Sequence, residues 1–110
     1  MESISGSTTR REGEWLYRLA LAGSGEGVIV EIGSFLGRST VYLASGSKAA
    51  GREKVYAIDP HLGAPVINHQ FSGPTYRQFL TNIKRAKVGK WVTPIKKTSI
   101  QARRGWKLPI

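Results

Sequence analysis

The chain has 110 residues, of which 40% are hydrophobic, and it carries a formal net charge of +10. This length allows one domain with a modest core, and no run of about 20 apolar residues predicts a membrane span. The sequence contains no cysteine, which excludes disulfides and thiolate metal sites. No pattern of metal ligands is recognised, so we predict no metal site. The N-terminus also lacks the pattern of a secretory signal, and we expect a cytoplasmic protein.

The positive charge is concentrated in the second half of the chain. Residues 1–59 contain seven Lys/Arg and seven Asp/Glu, whereas residues 60–110 contain ten Lys/Arg and no acidic residue. One interpretation is a polyanionic partner such as nucleic acid. The other is a truncated chain, whose compensating acidic residues belong to a missing segment, and this interpretation needs fewer assumptions.

The first elements are predicted from capping residues and apolar runs. Residues 1–8 are rich in Ser, Thr and Gly and are expected to form a flexible tail. Thr9 and Glu12 have the spacing of a capping box, which predicts a helix over about 10–22. The β-branched run Val28–Ile32 then predicts a strand buried on both faces, as in a parallel sheet.

The remaining elements alternate in the same way. We predict a helix from Ser39 to about Ala49, a strand over Lys54–Asp59, a helix with Pro74 in its first turn and Gly89 as its stop, a strand over Trp91–Ile95, and a short helix from Thr98-Ser99 to about Arg104. This order predicts an α/β fold over residues 9–110: a Rossmann-like parallel sheet with flanking helices, truncated to three strands.

The turn after the first strand has the composition of a ligand-binding loop, and its spacing separates three kinds of nucleotide site. A dinucleotide fingerprint requires Gly-x-Gly-x-x-Gly, but the second glycine position holds Phe35. A phosphate-binding P-loop requires four residues between its glycines and then a lysine. Here only three residues separate Gly33 from Gly37, and Arg38 replaces the lysine.

The third kind of site fits. The segment Glu31-Ile32-Gly33-x-x-x-Gly37-x-Ser39-Thr40 resembles the first motif of class I S-adenosylmethionine-dependent methyltransferases, in the subset that contains small-molecule and sugar-tailoring O-methyltransferases. Asp59 at the end of the second strand and the turn before Ser99 resemble two further motifs. The resemblance covers about residues 12–106.

The resemblance implies S-adenosylmethionine as cofactor and O-methyl transfer to a small molecule or sugar. Asp59 would accept from both ribose hydroxyls, since a carboxylate can do so in bidentate fashion. The implied cofactor contacts are Glu31, Gly33, Ser34, Gly37, Asp59 and Ser99. No residue is predicted to act as a general base. The alternative function is a basic nucleic-acid-binding module or part of an RNA methyltransferase.

The sequence departs from the family in the number of strands, because the family sheet has about seven. The first strand would therefore keep an unpaired edge, through which copies of the chain could associate. Among other candidates, Trp15, Trp91 and Trp106 are expected to be core or edge-covering aromatics. His61 and His69 are expected to be solvated loop residues, and the basic cluster on the third helix is interpreted as a solvated face: Lys84, Arg85, Lys87, Lys90.

Overall fold

The computed structural model describes residues 9–23, 26–51, 54–62 and 75–110. The predicted tail over residues 1–8, Pro74 and His69 lie outside the described residues. The elements in chain order are α1 (Arg10–Leu21), β1 (Ile29–Ile32), α2 (Arg38–Ala50), β2 (Val55–Ile58), α3 (Tyr76–Arg85), a 3-10 turn (Gly89–Trp91), β3 (Val92–Ile95) and α4 (Ser99–Arg103).

The three strands form a parallel sheet in the order β1-β2-β3. The register places Ile29, Val55 and Val92 side by side, so they share one face, and successive residues of each strand alternate between the two faces. The predicted Rossmann-like parallel sheet with flanking helices is confirmed.

The core lies on the face of the sheet that α2 and α3 cover. Its buried residues come from α2 and α3, from β2 and β3, and from the turn after α3: Val41, Ala44, Val55, Ala57, Phe79, Ile83, Val88 and Val92. Burial of each Val, Ile or Phe side chain in this set contributes about 1.5–3 kcal/mol, which makes this layer the main source of stability.

The opposite face of the sheet is only partly covered. Trp106 packs edge-on against Tyr56 with ring centroids 5.4 Å apart, and the Val28 N–H donates to the Pro109 carbonyl at 2.9 Å. Ile32 nevertheless remains 68% exposed. The prediction that the first strand is buried on both faces is therefore wrong, because the described elements cover the second face of the sheet only in part.

Helix α1 packs on α2 through small residues. A Cβ on Gly46 would lie 2.3 Å from the Tyr17 carbonyl, and a Cβ on Gly13 would overlap the Tyr42 ring. The helices can therefore approach closely at these points. Trp15 is 60% exposed, so its prediction as a core or edge-covering residue is wrong; Leu19, which shares the helical apolar spacing, is exposed too.

The predicted caps mostly agree with the structure. Thr9 and Glu12 form the predicted capping box of α1, and Thr98 forms another with Gln101 at α4. The stop at Gly89 is wrong: α3 ends at Arg85, and Gly89 begins the 3-10 turn after a left-handed Lys87. Among the described residues, no helix combines the length and apolar character needed to cross a membrane.

Candidate functional site at the carboxyl ends of the strands

The carboxyl ends of the strands are held together by backbone hydrogen bonds. The Gly33 N–H donates to the Ile58 carbonyl at 2.8 Å, and the Asp59 N–H donates to the Ile95 carbonyl at 3.1 Å. The glycine turn, the Asp59 turn and the turn before α4 therefore lie along one edge of the sheet. In open α/β sheets this is the edge at which ligands bind.

The glycine turn connects β1 to α2. Gly33 has φ 86° and nothing lies within 4 Å of an added Cβ, so open space adjoins its backbone. Gly37 is also left-handed with φ 94°, but an added Cβ would meet Phe79 at 3.1 Å. Gly37 thus allows close packing of α2 on α3, and this packing accounts for the glycine without a ligand.

Glu31 is tied to the first turn of α2. The hydroxyls of Ser39 and Thr40 donate to its two carboxylate oxygens, and a negative charge is favoured near a helix N-terminus. Burial raises the pKa of Glu31, the two hydroxyl hydrogen bonds act against this, and the nearby charge of Asp59 adds to the increase. Two carboxylates therefore lie close together at this edge.

Asp59 is held by two backbone amides. The Phe35 N–H donates to Oδ2 at 2.9 Å, and the His61 N–H donates to Oδ1 at 2.7 Å. Each carboxylate oxygen can accept a second hydrogen bond. The side chain is partly exposed, so the carboxylate is oriented by the protein and keeps acceptor capacity for a ligand.

His61 is buried, which contradicts its prediction as a solvated loop residue. It is 1% exposed, its Nδ1 lies 2.7 Å from the Thr75 Oγ1 and its Nε2 lies 3.5 Å from the Ser34 Oγ. Burial lowers the pKa of His61, the charge of Asp59 opposes this, and Lys96 lowers it further. The side chain of the predicted contact Ser34 therefore faces His61.

Ser99 lies at the start of α4, where it is exposed. It borders a largely apolar cavity of about 560 Å³ on the second face of the sheet, lined by Val30, Ile32, Ile58, Ser99, Ile100, Ala102, Arg103, Trp106 and Ile110. The cavity thus reaches from the strand ends of β1 and β2 to α4. A flat apolar group could bind there beside the polar turns.

The sequence interpretation missed the amides of Phe35 and His61 as the groups that orient Asp59. A signal was present, since an Asp that accepts from the N–H two residues further on is a recurrent turn, and Asp59-Pro60-His61 has that spacing. The Phe35 contact had no such signal, because it joins residues 24 positions apart.

Two comparisons with known proteins bear on this site. A family model described as a methyltransferase domain matches residues 30–110. Among solved structures, the cofactor-bound protein Rv0187 from MTB is similar, with a TM-score of 0.67 and 21% sequence identity over 90% of this chain and 39% of that chain. The likeness to Rv0187 supports the fold, and the chain spans about two fifths of that protein's length. Because the family model matches well over half of the sequence, the chain belongs to the methyltransferase-domain family.

Proposed function

We propose that the chain is the cofactor-binding part of an S-adenosylmethionine-dependent methyltransferase that transfers a methyl group to an oxygen of a small molecule or sugar. The observation that carries the proposal is the Asp59 carboxylate, which is fixed by two backbone amides at the edge of the sheet. A carboxylate fixed in this way is suited to accept from the two hydroxyls of a ribose.

The surroundings of Asp59 also fit this cofactor. The space beside Gly33 allows a ligand to approach the backbone closely. The apolar cavity beside Ser99 suits an adenine ring. S-adenosylmethionine carries a sulfonium cation and no phosphate, so the paired carboxylates of Glu31 and Asp59 favour it, whereas they would repel a dinucleotide.

Each predicted contact has a proposed role. Asp59 binds the ribose, the backbone of Gly33 and Ser34 adjoins the methionine part, and Ser99 lies beside adenine. Glu31 contributes negative charge, and its two hydroxyl partners fix its position. Gly37 acts by letting α2 pack close to α3.

The chemistry that the cofactor supplies when bound is an electrophilic methyl group. What this chain contributes is orientation, and holding two reactants in line supplies much of the rate of such a transfer. Both ring nitrogens of His61 have partners inside the fold, so we do not assign it as a general base. We infer that the acceptor and any base are held by residues outside this chain's proposed cofactor site.

Backbone NMR of the 110-residue chain, titrated with S-adenosylhomocysteine, tests where the ligand binds. We expect the largest amide shifts at Gly33, Ser34, Asp59 and Ile100. The internal reference is the groove along α3 and β3 that contains Lys48, Lys84, Lys87 and Lys90, and the amide signals of its residues should not shift. Shifts confined to that groove would contradict the proposed cofactor site.

The second candidate function is nucleic-acid binding, and one surface feature favours it. A groove of about 630 Å³ runs along α3 and β3, and its described lining contains Lys48, Lys84, Lys87 and Lys90 without a carboxylate. Lys48 lies over the Trp91 ring, 5.5 Å from the centroid. Lysines beside an aromatic ring can bind a phosphate backbone and stack a base. An RNA methyltransferase would combine both functions.

Salt dependence tests this second candidate. If RNA binds in the groove, affinity for a short single-stranded RNA should fall steeply as salt rises. Replacing Lys84 and Lys90 by Ala should reduce that slope, whereas replacing Arg11 on α1 should not. If the Lys84/Lys90 variant and the Arg11 variant bind RNA equally weakly, the binding comes from general electrostatic attraction to the basic chain. The groove would then be excluded as a specific site.

A further inference from the structure

The strongest unexplained feature is the buried imidazole of His61, which joins three separate elements. Its Nδ1 contacts the Thr75 Oγ1 before α3, and its Nε2 faces the Ser34 Oγ in the glycine turn. Its ring packs against Tyr76 and Phe79, with centroids 5.2 and 5.0 Å away. A buried side chain that is held by these four contacts fixes the backbone that carries it.

That backbone is in an unusual conformation. His61 has φ 54°, and a left-handed non-glycine residue costs about 1–2 kcal/mol. In this conformation its N–H donates to the Asp59 Oδ1 at 2.7 Å, while its carbonyl accepts from the Thr75 N–H at 3.1 Å. Strained residues persist only where their surroundings hold them, and here the surroundings are the buried contacts of the imidazole.

The charge state of the ring is consistent with this role. Burial lowers the pKa of His61, so the imidazole is neutral at physiological pH and one ring nitrogen accepts while the other donates. The hydroxyls of Thr75 and Ser34 can each act as donor or acceptor, so they match either tautomer.

We propose that His61 is a positioning residue: its buried side chain holds the Asp59–His61 turn in the left-handed conformation that aims the Asp59 carboxylate at the cofactor ribose. This inference rests on the proposed function, because it gives His61 its role through Asp59. A residue that merely fills the core between α3 and the sheet would stabilise the fold without a specific link to Asp59.

A double-mutant cycle separates these two roles. We expect His61→Leu to raise the Kd for S-adenosylhomocysteine about tenfold, the size of one lost net hydrogen bond. In an Asp59→Asn background the same change should have no further effect, since coupled residues are not additive. His61→Asn should bind within about threefold of the original chain, because Asn tolerates φ above zero and keeps a polar group near Nδ1. An equal loss in both backgrounds, or no loss in a folded His61→Leu chain, would overturn the proposal.

Amide hydrogen exchange of the ligand-free chain also distinguishes a positioning role of His61 from a merely structural one. The Phe35 amide is bonded to Asp59, so its exchange reports whether Asp59 stays in place, and the amide of buried Ala57 in β2 reports global opening. We expect His61→Leu to accelerate exchange at Phe35 about tenfold more than at Ala57, and His61→Asn to leave the ratio unchanged. Equal acceleration at both amides contradicts positioning by His61. A chain that binds no cofactor but shows the expected ratio contradicts the proposed function alone.

Discussion

At the scale of single residues, the site is organised by hydrogen bonds to two carboxylates. Glu31 is bound by hydroxyls from α2, and Asp59 is bound by amides from two different turns. Burial raises the pKa of the first carboxylate. The second is partly exposed and is held by two backbone amides, so we assign it the ligand-binding role.

The raised pKa of Glu31 predicts a pH dependence of stability. Between the ordinary carboxyl value of 4.5 and the raised value, the folded chain binds more protons than the unfolded chain. The contribution of Glu31 is therefore fully present below that ordinary value and is lost as pH rises. We expect Glu31→Gln to gain stability relative to the original chain as pH goes from acid to neutral, measured by urea unfolding followed by tryptophan fluorescence.

Glu12 provides a control of opposite sign. Its pKa is lowered by the backbone hydrogen bond from Thr9 and by the Thr9 side chain, so its contribution is present above the ordinary value and is lost as pH falls. Glu12→Gln should therefore lose stability relative to the original chain over the same interval. Two variants with the same sign would contradict the assigned environments.

Some residues of the site could be predicted from the sequence and others could not. Asp59 and Gly33 were predictable because a strand end and a glycine turn mark them locally. The burial of His61 was not, since it depends on Thr75, Tyr76 and Phe79, which are far along the chain. A polar residue in a loop appears solvated until the elements that enclose it are known.

At the scale of elements, local signals predicted where helices begin better than which side chains they bury. The predicted capping box at Thr9 and the predicted helix start at Thr98-Ser99 marked two starts correctly. The buried face of α1 was missed because large apolar residues such as Trp15 point to solvent while Gly13 and Ala20 are buried. Periodicity of large residues does not reveal a contact that is built from small ones.

The close contact between α1 and α2 predicts a large effect of one methyl group. Gly46→Ala gains up to about 1 kcal/mol in helix propensity, but the new Cβ would lie 2.3 Å from the Tyr17 carbonyl. The backbone must shift, so we expect a net loss of about 1–3 kcal/mol in the free energy of unfolding. Urea unfolding measures it.

Gly89→Ala is the matched control for this prediction. Nothing lies within 4 Å of an added Cβ there, and the backbone is not left-handed. Its free energy of unfolding should stay within about 0.5 kcal/mol of the original value. Equal losses at both glycines would mean that the effect does not come from the contact between α1 and α2.

At the scale of the whole molecule, the two faces of the sheet differ. One is covered by α2 and α3, while the other leaves Ile32, Ile100 and Ile110 exposed by 68%, 64% and 77%. The family and the parallel sheet were predictable because three motifs occur in order along the chain. The partial cover of the second face was not predicted, because the β-branched run of the first strand indicated burial on both faces, whereas Ile32 is exposed.

This exposed face predicts self-association. Among the described residues β1 pairs with β2 alone. Apolar surface beside such a strand edge favours contact between copies, so we expect the mass from sedimentation equilibrium to rise with concentration. Ile100→Gln should weaken the association, because it places a polar group in the apolar face. A mass that stays at 12.1 kDa over a wide range of concentrations would contradict it.

The proposed function depends on the cofactor site, and calorimetric titration of the chain with S-adenosylhomocysteine tests that site most directly. Asp59→Asn removes the carboxylate charge with little change in shape, and Lys84→Ala is the control outside the site. We predict saturable binding that Asp59→Asn weakens markedly and Lys84→Ala preserves. Absence of heat from a folded chain, or binding that is unaffected by Asp59→Asn, would contradict the assignment of this edge of the sheet as the cofactor site.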